Sequence, residues 1–322
     1  MKKVVTPGGS GSALSFREKE NQCQSVFNSC LATGAGFYHL CTPGEGQQII
    51  FETDLDFETG MLAAAICLHD SPNVRILTFE WMSNHVHFIL LGINEEIRAF
   101  FLLLKTRLKR MLKQRGRIVD LSGFTPKLIA VDSLESLRNQ IVYVNRNNYL
   151  VDSRYTPFSY PYGANGCYFS GSPVAFGERR YDELSFREKR ELLHSHNLDY
   201  PGEYRVRGHY FSPASFCDIA LGESLFRDAR HYFHKISRDV ESYREVAALV
   251  GDSIYYTDDE LVSLVYGICM KEYGNVKPTL LPIAEKQKLA RRLHFDYNAS
   301  NEQIGRILKI HLSALESMFI NK

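Results

Sequence analysis

Two histidines separated by one residue are the side chains best suited to metal chemistry in this chain. His85 and His87 stand in the apolar run 81–92, whose sequence is WMSNHVHFILLG. Side chains alternate across a β-strand, so both imidazoles would project from one face and could bind one metal ion. Buried imidazoles need partners, so a pair of hydrogen-bonded core histidines is the alternative interpretation.

A tyrosine and an asparagine form the second pair that could do chemistry. Tyr143 and Asn147 lie four residues apart in a segment with helical periodicity, so they share one helix face. One helix would then offer both a phenol nucleophile and an amide oxygen ligand. In the alternative interpretation, Tyr143 packs in the core and Asn147 is an ordinary surface amide.

The elements that must position these pairs follow from the spacing of apolar residues. Strands are predicted at 36–41, 48–51, 74–81, 85–91 and 127–131, and helices at 55–69, 95–114 and 133–150. The short 82–84 connection between two strands predicts a hairpin. The order of these elements predicts an α+β fold in which helices pack on one face of an antiparallel sheet, followed by a mainly helical C-terminal region.

Taken together, these segments resemble a known family. The run 82–90 (MSNHVHFIL) is similar to the HUH motif (His, bulky apolar residue, His) of single-tyrosine transposases. The run 143–147 (YVNRN) resembles the Tyr-hydrophobic-x-x-Asn helix of REP-associated tyrosine transposases, and Tyr38-His39 on the first strand agrees. The resemblance covers residues 34–165. Asn148 stands where these proteins usually have proline, and some relatives have glutamine at the position of Asn147.

This resemblance implies a ferredoxin-like (RRM-like) HUH domain that cuts and rejoins single-stranded DNA at a hairpin-flanked site. His85, His87 and Asn147 would hold Mg or Mn against the scissile phosphate, and Tyr143 would form a 5′-phosphotyrosine. It also implies a cytoplasmic, nucleoid-associated prokaryotic protein, monomeric or homodimeric. A non-catalytic hairpin-binding or regulatory protein of the same fold is one alternative, and a metal hydrolase or zinc protein is another.

The segment 98–117 contains eight basic residues and no acidic one. Such a stretch beside the predicted site strand favours a phosphate-binding track, although a basic solvated helix face is the alternative. The residues predicted to contact DNA here are Lys105, Arg107, Lys109, Arg110 and Lys113.

Three short helices are predicted at 281–294, 301–308 and 312–319. The run 300–308 (SNEQIGRIL) resembles the second helix of helix-turn-helix domains, so this unit is predicted to bind DNA through Arg291, Arg292 and Arg306. A small structural bundle is the alternative. The predicted organisation is therefore a tail and lead-in (1–33), a catalytic domain (34–165), a connector and helical region (166–277) and a helix-turn-helix-like unit (278–322).

Composition sets the limits of these hypotheses. The chain has 322 residues, 44% hydrophobic and 23% charged, which is typical of a packed globular protein. The longest uncharged apolar run, at 61–68, is far shorter than the roughly 18 to 20 residues of a membrane helix, so no membrane association is predicted. Seven cysteines without a Cys-x-x-Cys spacing favour reduced thiols. A net charge of +1 neither indicates nor excludes a nucleic-acid partner.

Overall fold

A four-stranded antiparallel sheet organises the first half of the chain. The computed structural model describes residues 14–44, 48–151, 158–170, 177–238, 258–274, 277–297 and 299–319, with the single positions Val246 and Tyr256. The strands are β1 (Gly36–Cys41), β2 (Arg75–Trp81), β3 (Val86–Gly92) and β4 (Lys127–Val131), in the spatial order β2-β3-β1-β4. The mixed α and β composition is as predicted, and β1 and β3 are the two interior strands.

Helices cover both faces of this sheet, so the prediction of helices on one face is wrong. The helices are α1 (Phe16–Leu31), α2 (Asp54–His69), α3 (Asn94–Gln114) and α4 (Leu134–Val151). Leu40 and Phe88 enter a core with α2 and α3, whereas Phe37 and Ile89 enter a second core with α1 and α4. Because β1 and β3 carry apolar residues on both faces, both faces must be covered.

The segment predicted as a tail and lead-in contains α1. Ser15 and Glu18 begin this helix with reciprocal side-chain to backbone hydrogen bonds. Phe27 stacks on Phe37 of β1 with ring centroids 5.3 Å apart. Helix α1, which precedes the predicted domain limit at residue 34, therefore packs on the sheet. Residues 1–13 lie outside the described residues.

The predicted strand at 48–51 is also wrong. Ile50 and Phe51 both donate their backbone N–H groups to the carbonyl oxygen of Ser83, each at 2.8 Å. Two donors that converge on one acceptor do not form the alternating ladder of a strand. This segment is a loop fastened to the β2–β3 connection.

The region predicted as a connector packs against the sheet domain. It contains β5 (Arg179–Arg180), β6 (Arg205–Arg207) and β7 (Tyr210–Phe211), which form a small antiparallel sheet, and helices α5 (Phe186–Leu193), α6 (Pro213–Phe216), α7 (Ile219–Ser224) and α8 (Ala229–Arg238). Phe211 and Phe216 join the core beside α2, while Tyr232 and Ile236 of α8 join the core beside α4.

The C-terminal helices have a core of their own. They are α9 (Asp258–Glu272), α10 (Ile283–Asp296), α11 (Asn301–Leu308) and α12 (Leu312–Phe319). The three short helices are confirmed. Helix α9, which precedes the predicted boundary at 278, belongs to the same core through Leu261 and Val265. Within the described ranges, no helix combines the length and apolar character needed to cross a membrane.

Candidate metal and nucleophile site

The predicted histidine and tyrosine side chains meet on the α4 face of the sheet. His87 is fully buried on β3, and its ring centroid lies 5.7 Å from that of Tyr143 on α4. His85 directly precedes β3, is partly buried, and has its ring centroid 5.0 Å from that of His87. The two imidazoles therefore share one face, as the His-x-His spacing predicts, and the phenol ring packs against them.

Hydrogen bonds select the tautomer of neutral His85. Asn84 donates from Nδ2 to the carbonyl oxygen of Gly44 at 2.7 Å, which orients its amide. The Oδ1 atom of Asn84 then accepts from Nδ1 of His85 at 2.7 Å. With the proton on Nδ1, the lone pair of the neutral ring lies on Nε2.

A longer relay selects the same tautomer for His87. Gln140 of α4 donates from Nε2 to Oγ of Ser136 at 3.1 Å, so its Oε1 accepts from Nδ1 of His39 at 3.1 Å. The Nε2 atom of His39 then accepts from Nδ1 of His87 at 3.0 Å. Neutral His87 thus also has its lone pair on Nε2.

Both Nε2 atoms, of His85 and of His87, are shielded from solvent. Metal-binding histidines typically donate the N–H of the other ring nitrogen to a fixed acceptor, and both rings do so here. This donor set fits a metal bound between His85 and His87.

The third predicted ligand lies on the expected helix. Asn147 follows Tyr143 by one turn of α4 and is only 4% exposed, so its interpretation as a surface amide is wrong. Asn145, two residues before Asn147, joins a buried network in which it contacts Thr78 of β2 and donates from Nδ2 to the hydroxyl of Tyr232 at 2.7 Å. Burial raises the pKa of Tyr232, so its hydroxyl stays protonated. This network fixes α4 against β2 and α8.

Two further side chains that could bind a metal ion were not identified as ligands from the sequence. His39 and Cys41 lie two residues apart on β1 and so share one face, and Cys41 is paired with His87 across the β1–β3 ladder. Together, His39, Cys41 and His87 could hold a metal ion, because their ligand atoms all lie within 4.8 Å of one another. The His-x-Cys spacing on the first strand was the available signal, but the strand pairing that adds His87 has no local signature.

The predicted DNA contacts of α3 lie on the other side of the sheet from this site. Helix α3 packs with α2 in the opposite core, so no track on that helix runs directly past Tyr143. Arg107 forms an ion pair with Asp70 at 3.0 Å. Of the other four predicted contacts on α3, Lys109, Arg110 and Lys113 are exposed and Lys105 is partly exposed.

The three predicted C-terminal contacts differ in their surroundings. Arg291 lines a groove between α10 and α12, together with Lys286 and Lys309. Arg306 is exposed on α11. Arg292 instead forms an ion pair with Glu272 of α9 at 2.8 Å, which holds α10 to α9.

Comparison with known proteins adds no relative. No family model, no curated protein and no solved structure matches this chain. Any assignment of function therefore depends on the side chains of the site.

Proposed function

We propose that this protein is a metal-dependent tyrosine transposase that nicks and joins single-stranded DNA through Tyr143. The observation that carries the proposal is the contact between the Tyr143 ring and His87, beside a second imidazole with the same tautomer. A metal ion supplied by solution, Mg or Mn, would be held by His85 and His87, with Asn147 as the third ligand. When bound, such an ion neutralises charge on the phosphate oxygens.

The reaction of Tyr143 would be a transesterification. The phenol oxygen forms a bond to phosphorus, the bond from phosphorus to the 3′ oxygen of the preceding nucleotide breaks, and the phenol proton passes to the solvent or to that oxygen. The products are a 5′-phosphotyrosine and a free 3′-hydroxyl. A 3′-hydroxyl of another strand can reverse the step, so the reaction needs no nucleotide cofactor.

The strand order supports the same proposal. An antiparallel sheet ordered β2-β3-β1-β4, with helices after β1 and β3, has the ferredoxin-like order that the family resemblance implies. In this arrangement, the histidines lie at an interior strand and the tyrosine helix follows the last strand. The two histidines and Tyr143 therefore lie on the same face of the sheet.

One observation favours the alternative, a non-catalytic DNA-binding protein of the same fold. Tyr143 and His87 are both 0% exposed, so a phosphodiester reaches them only if covering residues move. A protein that has lost catalysis could keep these side chains as core packing. The two functions differ in whether a covalent adduct with DNA ever forms.

The test is incubation of the full chain with end-labelled single-stranded hairpin oligonucleotides and Mn or Mg, followed by denaturing electrophoresis. We expect a protein–DNA adduct with the wild type and none with Tyr143→Phe. Tyr181→Phe is the matched control, because Tyr181 is also buried but belongs to the opposite core. Hairpin binding without an adduct would support the non-catalytic alternative, and metal-dependent cleavage that survives Tyr143→Phe would support a metal hydrolase.

His85→Ala tests the metal ligands with the least disturbance, since His85 is only partly buried. We expect cleavage to fall by about 10²–10³-fold, as when one group that stabilises charge is removed, while hairpin affinity stays within about threefold. Cleavage at the wild-type rate would refute His85 as a ligand.

A further inference from the structure

We infer that His39, Cys41 and His87 form a second metal site, selective for a zinc-type ion and sharing His87 with the proposed catalytic site. The three side chains are 0%, 1% and 0% exposed, respectively. They form the one group of three or more His, Cys, Asp or Glu side chains, among the described residues, with ligand atoms close enough for one ion.

The sheet register creates this group. His39 and Cys41 project from the same face of β1 because they are two residues apart. Cys41 stands directly opposite His87 on β3, so the three side chains occupy one patch of two hydrogen-bonded strands. Both strands are interior to the sheet, which keeps the patch rigid.

The spacing and the donor atoms fit zinc. Nε2 of His39 and Nδ1 of His87 are 3.0 Å apart, and two nitrogens bound to one tetrahedral zinc at about 2.0 Å would be about 3.3 Å apart. A thiolate and two imidazoles form a soft to intermediate ligand set, which zinc accepts and magnesium avoids. Glu80, buried opposite His87 on β2, places an acidic side chain on the same face.

Occupancy of this second site would switch off the first, a consequence that rests on the proposed function. Zinc on Nδ1 of His87 displaces the proton that this atom donates to His39, and the proton of neutral His87 then resides on Nε2. The Cys41 thiol releases its proton to solvent as it binds the ion. A neutral imidazole has one lone pair, so His87 can no longer bind a catalytic ion through Nε2.

The first test uses Co²⁺ as a spectroscopic substitute for zinc, added to the reduced, metal-free full chain. We expect a thiolate-to-cobalt charge-transfer band that saturates at one equivalent and disappears when Zn²⁺ is added. Cys41→Ser should abolish the band. Cys67→Ser, a buried cysteine in the opposite core, and His85→Ala should both retain it. Absence of the band from the wild type, or its persistence in Cys41→Ser, would overturn the inference.

A second measurement needs no variant. X-ray absorption of the wild type with one equivalent of zinc should show one sulfur at about 2.3 Å and nitrogen ligands at about 2.0 Å. A zinc environment without sulfur would overturn the inference, even if Cys41→Ser does not fold.

Failure of this site and failure of the proposed function give different results. A cobalt–thiolate band in a protein that never forms a DNA adduct refutes the nuclease alone, whereas an adduct without a band refutes the zinc site alone. If both hold, one equivalent of Zn²⁺ should reduce adduct formation in Mn by about 10-fold or more in the wild type and not in Cys41→Ser. Equal inhibition of both proteins would refute the coupling of the two sites.

Discussion

Single hydrogen bonds decide which nitrogen of each histidine can bind a metal. Asn84 fixes His85, and the chain from Gln140 through His39 fixes His87. The acceptor of the first bond is itself held by the carbonyl oxygen of Gly44. The loop after β1 therefore helps to orient the proposed metal site, although it contributes no ligand.

Gly44→Ala tests the role of this loop. A Cβ atom at position 44 would lie 2.7 Å from Nδ1 of His85, which is too close, so the imidazole must turn and lose its bond to Asn84. We expect metal affinity, measured by Mn²⁺ titration of the cleavage rate, to fall by about 10-fold or more. Gly267→Ala is the control, because no atom lies within 4 Å of the added Cβ there. Unchanged Mn²⁺ dependence of Gly44→Ala would contradict this prediction.

The packing of α8 on α4 holds the tyrosine helix in place. Lys235 of α8 donates to Glu135 and Asn139 of α4 at 2.6 and 2.8 Å. His231, on the same helix, packs against Phe226 with ring centroids 5.8 Å apart. Burial, together with the charge of Arg227, lowers the pKa of His231 from its ordinary value of 6.5 to about 4.

The low pKa of His231 predicts a loss of stability in acid. The folded state binds this proton less readily than the unfolded state, so the contribution is complete above about pH 6.5 and is lost as the pH falls towards about 4. We expect this contribution to the free energy of unfolding to be about 1 kcal/mol, since solvent screens the partly exposed ring. Urea unfolding at pH 7 and pH 4.5 measures it, and His231→Gln should show a smaller difference between the two pH values. An equal difference in both proteins would exclude His231 as the cause.

Local patterns predicted most elements and the β2–β3 hairpin, which the structure confirms, but not the pairing of β1 with β3 and β4. Apolar periodicity located the ends of α2, α3, α4 and the four strands to within one residue. Helix α1 was missed, although SFREK begins at both Ser15 and Ser185 and both copies start a helix with the same capping bonds. His85, His87 and Tyr143 were brought together as predicted. Cys41 was missed because its pairing with His87 is a long-range register, which no short segment encodes.

Across the whole molecule, the C-terminal helices form a unit with α9. Its core includes Val265 of α9 and Leu293 of α10, so a deletion that starts at residue 278 would strip α9 of its partners. Exposed apolar side chains would then confound any measurement of DNA binding. Substitutions in the groove between α10 and α12 are the better test of this unit.

Replacement of Lys286, Arg291 and Lys309 by alanine should weaken hairpin binding. All three line one groove. Each phosphate contact that is lost should reduce the magnitude of the slope of log K against log salt concentration by about 1. Fluorescence anisotropy at several salt concentrations measures this slope. Arg292→Ala is the control, because its ion pair with Glu272 holds two helices together and points to a structural role. An unchanged slope in the triple variant would place the DNA contacts elsewhere.

The interior position of β1 and β3 also affects how fast their backbone amides and any bound ion exchange with solvent. Backbone amides of central strands exchange with solvent hydrogen mainly through global unfolding, whereas strands at an edge open locally. An ion on the covered face of these two strands would be held by side chains, so it would leave when the helices packed on that face move away, without separation of the strands. Its residence time should therefore follow the rate of that local opening.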